Sequence, residues 1–324
     1  MKAKTYIGLL MSFLLISFGS ATAQQPKLYR VGVLVPGEAW YEILDGLRGD
    51  LKQLGLEEGK QYTLTIRDWK NDAKLAEAAA KNLEAEKVDL IYATSTGSAI
   101  AARRATTNIP IVFCAGTDPV VLGLVDSFAN PGGRLTGTYS RITDLTGKRL
   151  ELLKEILPKL RRVVTFYNPS TAVAIESSKL AREAAQRSGI LLIERHATSD
   201  QTFIESVRAL KVGEADAYLA VSDPLAANHA QLIIDTAKDK RLPTMFDFQS
   251  LVFKGGLASY SVNFQEVGRV SAKYVQRILT GVKTQDLPVE GVDKIDFVVN
   301  LKAAKQIGLT IPPNVLARAD KVIR

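Results

Sequence analysis

The residues best suited to hold a small charged molecule form one short run and one repeated pair. Thr94-Ser95-Thr96-Gly97 sets three hydroxyls and a glycine between an apolar stretch and a helical one. Hydroxyls and free backbone N–H groups at a helix N-terminus make a site for a carboxylate or another small anion. The same serine or threonine can instead simply cap the helix. Asp118-Pro119 and Asp223-Pro224 share a pattern, an aspartate at an N-cap with proline at the first helical position. Capping alone explains either one. Facing a ligand, either can pair with an ammonium group, and such a pair strengthens once desolvated. Thr117, Asn168, Ser222 and Asp247 stand at neighbouring strand ends. Trp40 and Tyr41 open a helix and can stack on a flat ligand or cover a cation, or can staple the helix to the lobe surface. Tyr139 and Tyr260 fall where the chain crosses between halves, lining a cleft or packing a hinge.

Enzyme signatures are missing one after another. Gly55-Leu56-Glu57-Glu58-Gly59-Lys60-Gln61 has glycines too close for a phosphate loop and no Ser/Thr after the lysine. No Gly-x-Gly-x-x-Gly follows a strand, and no Gly-x-Ser-x-Gly elbow occurs. His196 and His229 are isolated, as is Trp69, and Cys114 is the only cysteine, which leaves no metal-ligand spacing and no intrachain disulfide. Cys114 ends an apolar segment and reads as a buried, inert thiol. Nothing specific supports acid–base work by Asp118 with Asp223. No catalytic group, metal or cofactor is therefore expected.

The elements that must position these residues alternate. Short β-branched runs at 31–35, 62–67, 88–92 and 109–113 are separated by helical periods, the first with Ile43, Leu44, Leu47, Leu51 and Leu54 on one face and Gly55 closing it. The pattern restarts with strands at 162–167, 190–193, 215–221 and 243–246 and helices at 171–188, 203–210 and 225–238. Strands spaced by helices imply parallel pairing with right-handed crossovers. The expected class is α/β, two doubly wound parallel-sheet lobes joined by three crossings, near 127–141, at 257–262 and at 284–289. The lobes would comprise 24–138 with 263–285, and 139–262 with 286–324. In open sheets of this kind ligands bind beyond the strands' carboxyl ends, where the residues named above lie.

Lys2 and Lys4 precede an apolar stretch at 7–18, and Ala21-Thr22-Ala23 follows as a cleavage site, so 1–23 reads as an export signal. No cysteine follows it, so lipoprotein acylation is not expected, and periplasmic residence is. Formal net charge is +8 in 324 residues, a spread-out surplus that calls for no nucleic-acid partner. The densest basic run, Lys148-Arg149 through Lys154, Lys159, Arg161 and Arg162, is interleaved with Glu151 and Glu155 and reads as a solvated helix face.

Several stretches are shared with a known family. They include Arg104-Ala105-Thr106-Thr107-Asn108-Ile109-Pro110-Ile111-Val112-Phe113, Thr117-Asp118-Pro119-Val120 and Asn130-Pro131-Gly132-Gly133-Arg134-Leu135-Thr136-Gly137. Thr146-Gly147-Lys148-Arg149-Leu150-Glu151-Leu152-Leu153-Lys154-Glu155 and the tail from Asn300-Leu301-Lys302-Ala303-Ala304-Lys305 to Ile311-Pro312-Pro313 extend the match over the mature chain. On these residues the chain resembles the substrate-binding components of ABC transporters. The resemblance implies the type I periplasmic binding protein fold, a monomer whose two lobes close on a solute, with an ABC permease and its ATPase at the inner membrane as partners. Some members bind aromatic amino acids, which fits hydroxyls for a carboxylate, an aspartate for an ammonium and rings for a side chain. Ser95, Thr96, Thr117, Asp118, Ser222 and Asp223 match positions that face the cleft in similar proteins. Trp40-Tyr41 lies in a variable loop and Ser222 at a variable position, so the solute can differ from that of any relative. A sensor passing its signal to a membrane kinase, or an enzyme using the cleft, is the alternative. A DNA-binding repressor on this fold would need a helix-turn-helix where the export signal stands.

Overall fold

The computed structural model describes residues 27–324, so the expected export signal lies outside it. Strands are β1 (Tyr29–Val35), β2 (Tyr62–Asp68), β3 (Leu90–Ala93), β4 (Ile111–Ala115), β5 (Leu135–Tyr139), β6 (Arg162–Tyr167), β7 (Leu191–His196), β8 (Ala217–Leu219), β9 (Thr244–Phe246), β10 (Ala258–Val262), β11 (Glu290–Gly291), β12 (Ile295–Asn300) and β13 (Lys321–Ile323). Helices are α1 (Tyr41–Gln53), α2 (Ala73–Ala85), α3 (Thr96–Ala105), α4 (Leu145–Ile156), α5 (Ala172–Ser188), α6 (Asp200–Arg208), α7 (Pro224–Asn228), α8 (Ala230–Asp239), α9 (Gln249–Phe253), α10 (Phe264–Leu279), α11 (Leu301–Gln306) and α12 (Pro313–Leu316).

These strands form two sheets, ordered β11-β5-β4-β3-β1-β2 and β13-β12-β10-β9-β8-β6-β7. The first is parallel throughout, and the second is parallel except where β10 meets β12. Burial explains the near-continuous apolar runs: every residue of β4 is buried, as is β1 from Val31 to Val35. The two α/β lobes expected from the alternation are present.

The chain leaves the first sheet after β5, returns at Asn263 to begin α10, and enters the second sheet for good between β11 and β12. The segment 284–289, expected as the third crossing, stays with the first lobe. Thr136 Oγ1 donates to Leu287 O at 2.6 Å and Thr284 Oγ1 to Gly133 O at 2.7 Å, and the segment leads into β11. α10 then lies tightly against α1: a Cβ on Gly46 would fall 1.9 Å from Gln265 O, and one on Gly268 1.9 Å from Ile43 O.

Other differences have local causes. α1 ends at Gln53, which leaves Leu54 off the packed face and 42% exposed. The helix expected over 225–238 is two, broken at His229, with the Asn228 side chain turned to the other lobe. Asp118 begins no helix; its Oδ1 accepts from Val120 and Val121 N–H and caps a turn. α4 keeps its solvated charged face, with Lys148 paired to Glu151 at 2.9 Å and Lys154 exposed, but Arg149 departs from it and is fully buried. Cys114 is buried, as expected.

Candidate functional site

Between the lobes lies a cavity of about 60 Å³. The first lobe lines it with Trp40, Ile43, Thr94-Ser95-Thr96-Gly97, Cys114, Gly116, Phe264 and Val267. The second supplies Ile142, Val173, Ser222-Asp223-Pro224, Asp247 and Phe248, and Ser140 sits at the first crossing. A groove of about 370 Å³ adjoins it, sharing Thr96, Gly97, Val173 and Pro224 and reaching Asn168.

On the first lobe, β3 runs straight into α3. Ser95 caps α3, its Oγ accepting from Ser98 N–H at 3.1 Å, and Thr96 Oγ1 accepts from Gly116 N–H at 3.0 Å. Thr94 Oγ1 donates to Leu34 O. The N–H groups of Thr96 and Gly97, first in the helix, have no intrahelical acceptor and lie at its positive end.

On the second lobe, Asp223 caps α7. Its Oδ2 accepts from Asn168 N–H at 3.0 Å and Ala226 N–H at 3.2 Å, and Thr171 Oγ1 lies 3.4 Å from Oδ1. Burial nevertheless raises its carboxyl to about 6, against those hydrogen bonds. Asp247 follows β9 and is only 4% exposed, and its Oδ2 has no hydrogen-bond partner. In the field of Asp247 lies Arg149, which donates to Tyr260 O at 2.9 Å, Ile142 O at 3.0 Å and Thr146 Oγ1 at 3.3 Å, with Ser222 Oγ at 3.5 Å. Burial lowers the guanidinium's proton affinity, and the field of Asp247 opposes that.

Rings close the site. Trp40 of the first lobe meets Phe248 of the second edge-on at 5.0 Å, and Phe248 stacks on Phe264 at 4.5 Å. A single apolar cluster consequently runs through both lobes. Further contacts join the lobes at the surface: Asn228 Nδ2 donates to Pro36 O at 2.9 Å, and Lys254 pairs with Glu38 at 3.1 Å. Gly37 makes room for the first, since a Cβ there would fall 1.8 Å from Asn228 Oδ1.

Of the residues selected from the sequence, Trp40, Ser95, Thr96, Ser222, Asp223 and Asp247 line this cavity and Asn168 lines the adjoining groove. Tyr41, Thr117, Asp118, Tyr139 and Tyr260 lie outside its lining. Tyr41 is 36% exposed, Thr117 is buried with its hydroxyl unpartnered, and Tyr260 packs on Phe297. Tyr139 packs on Phe128, and burial, aided by Asp144 and Asp118, raises its hydroxyl to about 12. Phe248, Phe264 and Arg149 were not selected. Phe248 directly follows Asp247 at a strand end, the one local signal that could have found it.

The family model described as "ABC transporter substrate binding protein" matches residues 30–323. A tyrosine-binding protein of Clostridioides difficile is 27% identical over 259 residues, covering 80% of this chain and 74% of that protein. A conserved domain protein from Vibrio cholerae is 32% identical with a TM-score of 0.83, covering 91% of this chain and 100% of that one. An ABC domain in complex with L-Trp from Streptococcus pneumoniae is 23% identical with a TM-score of 0.80, covering 92% and 100%. The fold is that of type I periplasmic binding proteins, as the resemblance implied.

Proposed function

The chain belongs to the ABC transporter substrate-binding protein family, and on that premise we propose that it is an exported receptor which captures an aromatic amino acid between its lobes and presents the closed form to a membrane permease driven by an ATPase. The observation that carries this reading is the composition of the cavity: rings from both lobes around carboxylates and a helix N-terminus. A zwitterion with an aromatic side chain needs those groups. Its carboxylate suits the N–H groups of Thr96 and Gly97, and its ring suits Trp40, Phe248 and Phe264. The relative named as tyrosine-binding supports the solute class.

Site residues from both lobes explain how binding and closure are coupled. A solute touching both walls stabilises only the closed arrangement and shifts the equilibrium toward it. Export rests on Lys2, Lys4, the apolar 7–18 stretch and Ala21-Thr22-Ala23. No helix among the described residues is long and apolar enough to cross a membrane. Homologues are solute-binding proteins rather than enzymes.

The test is a thermal-shift screen of the mature protein, unfolded and refolded to strip carried-over solute, against the amino acids, purines, amines, organic acids and sugars. A native-state ligand raises the melting temperature with its concentration. A shift with tyrosine, tryptophan or phenylalanine is expected. A shift confined to sugars or purines would overturn the amino-acid reading and leave the receptor reading in place.

A further inference from the structure

The cavity holds two carboxylates, and the hydrogen bonds around them are unequal. Asp223 is committed to its own lobe: one oxygen accepts two backbone N–H groups and the other faces the Thr171 hydroxyl. A carboxylate so occupied has little left for a ligand. Asp247 is equally buried and lines the same cavity, yet its Oδ2 meets no donor. Buried polar oxygens are nearly always paired, and an unpaired one costs stability unless a ligand or another function uses it. Arg149 supplies a favourable field but no hydrogen bond, since it donates to carbonyl and hydroxyl oxygens instead. The neighbouring ring, Phe248, follows in sequence and stacks on Phe264, so a cation at Asp247 would sit beside aromatic surface.

We infer that Asp247 is the receptor for the ligand's ammonium group and fixes selectivity for primary amines, while Asp223 is a structural cap. This rests on the receptor reading above and deepens it. A primary ammonium has three donors, one of which satisfies the orphaned oxygen, and the pair gains strength as closure removes water. A neutral or anionic analogue of the same shape leaves that oxygen unpaired and gains nothing from the charge. Selectivity from such a site is steep, because the penalty falls on the wrong ligand rather than on the protein alone.

The experiment titrates L-tyrosine, tyramine, phenethylamine and 3-(4-hydroxyphenyl)propionate, which lacks the amine, into refolded wild-type, Asp247→Asn, Asp247→Ser and Asp223→Asn proteins by calorimetry. Wild type should bind tyrosine at least about tenfold more tightly than the deaminated acid, and both Asp247 variants should erase that preference. Asp223→Asn should keep it, whatever it does to absolute affinity. Two serviceable substitutions guard against one failing to refold, and circular dichroism checks each. Retention of the amine preference in the Asp247 variants, or its loss in Asp223→Asn alone, overturns the assignment. If tyrosine does not bind but an amine does, the amino-acid reading fails while the Asp247 variants still decide this one. If no amine of the set binds wild type, the inference falls too.

Discussion

On the first lobe, the hydroxyls that line the cavity are neutral and tied to their own lobe: Thr94 to Leu34, Ser95 to Ser98, Thr96 to Gly116. On the second, the wall carries two carboxylates, a fully buried arginine acts on Asp247, and one Asp247 oxygen is unpaired. The first wall is a finished surface at a helix N-terminus. The second stores electrostatic cost that a partner can relieve. On the proposed receptor reading, charge placed on one lobe only would leave an open cleft wet and tolerable, and closing it would make the ligand's own charge necessary. A difference between the walls in this sense predicts unequal responses to substitution.

The largest is expected at Arg149. Replacing it with methionine strands Tyr260 and Ile142 carbonyls and leaves Asp247 without a nearby positive charge. Loss of about 3–5 kcal/mol in urea unfolding should follow, against about 1 kcal/mol for Thr96→Val on the opposite wall. Equal costs would erase the distinction between walls.

Asp223 gives the next effect, and it depends on pH. Its carboxyl titrates near 6 when folded against an ordinary 3.8, so the folded state holds the proton more tightly and stability falls as pH rises from about 4 to about 6. The loss amounts to at most about 3 kcal/mol. Asp223→Asn keeps an acceptor for the cap and removes the titration. The melting-temperature gap between the two proteins should therefore move in the variant's favour over that interval, and a parallel pair of curves would show that the second wall stores no such cost.

Smaller effects probe closure. Asn228→Ala should remove the donor to Pro36 O without touching the glycine backbone at Gly37, and should weaken solute binding several-fold in calorimetry with urea unfolding nearly unchanged. Glu38→Gln removes a pair whose acid is 83% exposed, so it should change affinity by about 0–1 kcal/mol and only at low salt. A salt-independent effect of several kcal/mol would make this rim contact, rather than the walls, the source of closure.

What could be read beforehand follows the range of the interactions. Local rules sufficed for the alternation of strands and helices in both lobes. They sufficed as well for Ser95, Thr96, Ser222, Asp223 and Asp247, which stand at strand ends. Arg149 escaped because its burial depends on the Tyr260 carbonyl, 111 residues away, and in sequence it sits among lysines that stay in water. Phe264 escaped for a related reason: its partner Phe248 belongs to a different element and meets it only once the second sheet is built. Sequence patterns name the positions at the cleft, but not which carboxylate is already spoken for. That depends on Asn168 reaching Asp223 across 55 residues.

Trp40 is one of two tryptophans, and the other, Trp69, is buried in the first lobe with its indole N–H bound to Ser98. Only Trp40 touches a ring from the opposite lobe. Separation of the lobes would bathe that indole in water, while Trp69, on the groove between the lobes, would keep its hydrogen bond within the first lobe. The protein thus carries its own optical gauge: its emission colour would report open and closed populations without any attached label, and Trp69→Phe would isolate the part due to Trp40.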